Sequence, residues 1–217
     1  MYLAPKINRR LDSMREILTG SVPLETVLDE VERTLKPFGI KVFMVPDETL
    51  KRPDFMCSGS YDFFKKKQPI EIVLHFNVRN RCYDFNASRW KNFKFLLSQV
   101  VQHEIIHKHQ YSHRQAFENG GACLYYDIKG GEKSDKEHMD YLAELDEIDA
   151  YAHDIAMEIR EYYPKSDPMD VLRNINKRRK LWSWNYYRSA FKDSKDWSDV
   201  KTRLLKKTYL WLPHVTV

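Results

Sequence analysis

Val100-Val101-Gln102-His103-Glu104-Ile105-Ile106-His107 sets two histidines four residues apart inside an apolar run. On a helix, positions i and i+4 lie one turn apart on one face, so both imidazoles reach a single ion. Glu104 is turned about 100° from His103, beside the ion axis, where a general base belongs. Zinc with three protein ligands keeps one position for water and lowers that water's pKa toward about 7, so that a nearby carboxylate takes its proton. The pattern therefore calls for a helix, and for a third ligand elsewhere in the chain.

The helix is legible around the motif. Ser88 reads as its N-cap, and Phe93, Leu96, Leu97, Val100, Val101 and Ile105 form its apolar stripe, which carries it toward Tyr111 to Phe117. Upstream, Ile7, Leu11, Met14 and Ile17 mark one short helix, and Val27, Leu28, Val31 and Leu35, between Pro23 and Pro37, mark another. Ile40 to Val45 and Ile70 to Phe76 are rich in β-branched residues and read as strands, with a weaker strand between Phe55 and Phe64. Downstream, Asn119-Gly120-Gly121 and Gly130-Gly131 are turn signals. Beyond them Leu145, Ile148, Ala152, Ile155 and Ile159 predict a helix over 141–162, closed by Pro164 and Pro168.

That last helix offers the third ligand. With Ile148 at the centre of the buried stripe, a step of about 100° per residue puts Glu147, Glu144 and Tyr151 on one flank and Asp146, Asp149 and His153 on the solvent side. Glu147 is preferred and Glu144 held in reserve. The same arithmetic turns His109 and His113 away from His103 and His107, toward solvent. His75, on the strand face opposite Ile72 and Leu74, either borders the cleft or faces solvent.

Val100 to His107 followed by Glu147-x-x-Ala150 resembles the zincin superfamily, in its gluzincin-like branch. More narrowly, Asp146 to Ala156 resembles small metallopeptidases encoded in bacteriophage and bacterial genomes. The resemblance covers Ile70 to Ile159. It implies an α+β fold with a zincin-like core, in which a small mixed sheet with an edge strand at Ile70 to Phe76 packs on the active-site helix and on the glutamate-bearing helix. An extended peptide would lie along that edge strand. It further implies one Zn2+ per chain on His103, His107 and Glu147, Glu104 as catalytic base, and hydrolysis of a peptide or protein substrate. No motif marks the donor that would polarise the carbonyl; Tyr111, Arg114, Tyr126 and Tyr151 all have the chemistry for it.

Composition bounds the alternatives. No stretch approaches the apolar length of a membrane span, and the N-terminus has no secretory h-region, so no membrane partner is expected. Cys57, Cys82 and Cys123 lack paired spacing and suit a reducing compartment: cytoplasm, that of a bacterial host if the chain is phage-encoded, with virion association a further reading. The net charge of +5 is uneven, because from Lys165 onward 13 Lys and Arg stand against five Asp and Glu, which leaves −3 for the first 164 residues. Two regions are expected, a zincin-like core over 1–163 and a basic, aromatic-rich helical extension over 164–217. Trp182, Trp184, Tyr186, Tyr187 and Trp197 among the lysines and arginines of that extension suit either ordinary packing, with Leu204, Leu205, Tyr209 and Leu210 as one helix face, or contact with nucleic acid. The competing functions are accordingly a catalytically silent zincin fold that binds nucleic acid or a host protein, and a virion structural component.

Overall fold

The computed structural model describes residues 4–117 and 135–215 apart from Pro53 and Lys66, with residues 4 and 114–117 described as backbone only. The fold is α+β. Two compact units, residues 1–109 and 110–217, divide the chain within one continuous helix. Among the described residues no helix is long and apolar enough to cross a membrane.

In the first unit, α1 (Ala4–Ser13) tightens into a 3-10 turn at Met14–Glu16. This turn changes which apolar residue goes inward: Ile7, Leu11 and Met14 are buried as their spacing requires, but Leu18 takes the place expected of Ile17, which is exposed. A short ladder pairs β1 (Gly20–Pro23) with β5 (Cys82–Phe85). α2 (Leu24–Leu35) buries Val27, Val31 and Leu35. Gly39, at φ 72°, makes the left-handed turn into the sheet.

The three-stranded sheet is mixed. β4 (Ile70–Asn77) lies between β2 (Ile40–Asp47), parallel to it, and β3 (Phe55–Tyr61), antiparallel to it. This corrects the expected edge strand, because both ladder sides of Ile70 to Phe76 are taken. The uninterrupted run Ile70-Glu71-Ile72-Val73-Leu74 suits a central position, whereas β3, with Ser58, Gly59 and Ser60, is a weak strand former and takes the edge. Burial alternates along β4: Ile70, Ile72, Leu74 and Phe76 face the core and Glu71, Val73, His75 and Asn77 the other side.

α3 (Ala87–Phe117) is capped by Asn86 rather than Ser88, its side chain accepting from the Arg89 amide at 2.9 Å. Phe93, Leu97, Val101 and Ile105, at steps of four, join the sheet's inner face in one core with Phe55, Phe76, Tyr83 and Phe85.

In the second unit the expected 141–162 helix is two, α4 (Asp135–Leu142) and α5 (Leu145–Tyr162), so that Leu145 sits exposed at a helix start while Ile148, Ala152, Ile155 and Ile159 are buried. α6 (Pro168–Arg173), α7 (Trp182–Ala190) and α8 (Trp197–Trp211) follow. α5 packs on α8 and α7. The buried side of α8 is Val200, Leu204 and Thr208. Leu205 is only half-buried and Tyr209 and Leu210 are exposed, so the expected face was rotated from the real one. Glu158, buried on α5, accepts from the Ser183 amide at 3.1 and 3.2 Å and from its hydroxyl at 2.8 Å, which caps α7 and fixes it to α5.

Candidate metal centre

α3 presents His103 and His107 one turn apart, with their Nε2 atoms 3.1 Å apart and their ring planes at 72°. His107 is buried and His103 half-buried. Two ligands bound about 2.05 Å from a tetrahedral zinc stand about 3.4 Å apart, so this spacing fits two corners of such a site. Glu104 is buried against β3. A Cβ placed on Gly59 would come within 2.7 Å of Glu104 Cγ and 2.8 Å of its Oε1, so the strand backbone lies directly against the carboxylate. Cys57, two residues earlier on the same side of β3, has its thiol pushed well above the usual range by burial and, secondarily, by the charge of Glu104. The strand beside the glutamate is thus the edge strand β3, not β4.

Glu147 sits in the first turn of α5 and is 2% exposed. Gln110, three residues beyond His107 on α3, donates through Nε2 to the Asp146 carbonyl at 3.2 Å and to Asp149 Oδ2 at 3.4 Å, and so ties the start of α5 to that helix. One ligand atom from each of His103, His107 and Glu147 lies within 4.8 Å of the others. Two imidazoles and a carboxylate are a donor set that zinc takes. Glu144, the reserve, is the residue before α5 and is not in this group. Asp149 is engaged elsewhere, by Gln110, by Lys207 at 3.1 Å and by Trp211 Nε1 at 3.3 Å.

The other histidines divide differently from expectation. His113 is exposed, but His109 is half-buried. His153 is buried, with its ring edge-on to Trp211 at 5.0 Å; the helical arithmetic missed this because α8 covers the side of α5 opposite the apolar stripe. His75 lies on the outer sheet face, its Nε2 2.9 Å from Ser58 Oγ. Of the carbonyl-polarising candidates, Tyr111 and Tyr151 are half-buried, whereas the Arg114 side chain and Tyr126 lie outside the described residues, as do Cys123 and both glycine pairs.

No spacing along the chain signals that Tyr186 of the aromatic-rich extension meets His138. Tyr186 Oη is 2.8 Å from His138 Nε2, and the ring packs on Tyr151, which is one turn beyond Glu147. Burial and the Glu147 charge raise the Tyr186 phenol, against a hydrogen bond from Tyr151 that lowers it. Only the packing of α7 on α5 brings this phenol near Glu147, and no spacing along the chain signals it.

The chain matches no protein-family model, no curated protein and no solved structure.

Proposed function

We propose that the chain is a zinc-dependent peptidase with a zincin-like core, its metal held by His103, His107 and Glu147. The convergence of two imidazoles and a buried carboxylate from separate helices carries this reading. Zinc bound there would supply a water of lowered pKa and polarise a carbonyl. Glu104, packed against β3, would serve as the base that takes a proton and passes it to the leaving amine. An extended peptide adds to the edge strand β3.

Metal analysis of the purified chain tests the ligand set, with about one zinc per chain expected and a large loss of metal in His103→Ala. Full zinc content in that variant would refute the assignment. Glu104→Gln is expected to keep its zinc and to lose cleavage of a mixed peptide library by about 10²-fold or more. Cleavage at the wild-type rate would remove Glu104 from the mechanism.

A further inference from the structure

We propose that the surface around Trp182 binds single-stranded nucleic acid, independently of the metal centre. Residues 171–192 contain seven Lys and Arg and no Asp or Glu. Some cations of the C-terminal region serve the fold: Arg203 bonds Asp199 and the Ala143 carbonyl, Lys207 pairs with Asp149, and Arg173 pairs with Asp170. Lys177, Arg179 and Lys180 differ. All three are exposed, and among the described residues none pairs with a carboxylate.

Beside them stands an exposed aromatic. Trp182 is 63% exposed, although its neighbours Leu181, Ser183 and Trp184 are buried. One face of its ring stacks on Tyr186 at 5.3 Å and 5°, which leaves the opposite face to solvent. The mount is rigid. Glu158 caps the helix at Ser183, and Asn185 Nδ2 donates to the carbonyls of Arg179 at 3.1 Å and Leu181 at 2.7 Å, so the basic loop is pinned to the helix that carries the ring. Arg188 closes the other side by donating to the Asn176 carbonyl.

A pre-ordered flat ring with one free face, flanked by unpaired cations on long stems, fits a base to stack and a backbone phosphate to neutralise. Duplex DNA presents phosphates but keeps its base faces covered. An acidic protein would use the cations but leave the ring without a role. The single strand uses both.

The test is fluorescence anisotropy of the full chain with a labelled oligo-dT of about 16 nucleotides across a salt series. Binding is expected to weaken with salt. The triple variant Lys177→Gln, Arg179→Gln, Lys180→Gln is expected to flatten the log–log salt slope by about 2, at about 0.7 per phosphate contact. Trp182→Ala, checked for native circular dichroism, is expected to bind about 5- to 150-fold more weakly with the slope unchanged. His103→Ala is expected to bind as wild type, which separates this proposal from the zinc reading. The proposal is overturned by absence of binding at low salt, by Trp182→Ala binding as tightly as wild type, or by equal binding of duplex DNA or polyglutamate. Loss of binding in His103→Ala would place the oligonucleotide elsewhere and overturn it too.

Discussion

Adding a single methyl group at Gly59 tests the link between sheet and candidate base. Its Cβ would lie 2.7 Å from Glu104 Cγ, 2.8 Å from Glu104 Oε1 and 2.8 Å from Val100 Cγ1, against an ordinary carbon contact of about 3.5–4.0 Å. The carboxylate end can swing, but Val100 and the Glu104 stem belong to a helix packed into the core, so strand or helix has to move by about 1 Å. Overpacking of this kind costs about 1–3 kcal/mol. Gly59 does not have positive φ, so alanine suits its backbone and returns about 0.4–1 kcal/mol through the unfolded chain. Gly59→Ala is therefore expected to lose about 1–2 kcal/mol, which lowers Tm by about 2–8 °C in a chain of this size. Zinc content should hold, while displacement of Glu104 by about 1 Å costs peptide cleavage about 10²-fold. Ser60→Ala, at an exposed position one residue on, serves as control and should stay within about 0.5 kcal/mol of wild type. If Gly59→Ala melts within about 1 °C of wild type and cleaves normally, the strand does not position Glu104.

Glu158→Ala removes the acceptor of the Ser183 amide and hydroxyl and is expected to cost about 2–3 kcal/mol in urea unfolding; a change below about 0.5 kcal/mol would show that α7 does not depend on this cap. Thiol labelling at pH 8 in a Cys123→Ser background should modify exposed Cys82 and spare Cys57, since the thiolate is the reactive form and Cys57 is held protonated until the pH passes well above its ordinary range. Adding Glu104→Gln should leave Cys57 slow, because burial is the larger cause; rapid labelling would mean that the charge of Glu104 dominates instead.

The parts of this fold that follow one element's own periodicity were legible in the chain. Phe93, Leu97, Val101 and Ile105 announced α3, and the flank position of Glu147 followed from rotation about Ile148 alone. What failed depended on a neighbour. Burial of His153 comes from α8, the rank of β4 within its sheet from pairing on both sides, and the approach of Tyr186 to Glu147 from the packing of α7. Periodicity gives each helix a face but does not say what will cover the opposite one. The β1–β5 ladder was missed for a related reason: two four-residue segments about sixty residues apart carry too little pattern to be paired by inspection.

That ladder makes residues 24–81 a closed excursion with a fastened base, where Pro23 faces Cys82 and the Leu24 amide donates to the Arg81 carbonyl at 3.0 Å. Loop-closure cost rises only with the logarithm of length, so the base tolerates a long excursion, or a longer one. A backbone cut at the exposed turn around Glu48 to Arg52 would leave two fragments held together at this base and again where β2 and β3 flank β4. The sheet and the helix bearing His103 would remain one noncovalent assembly.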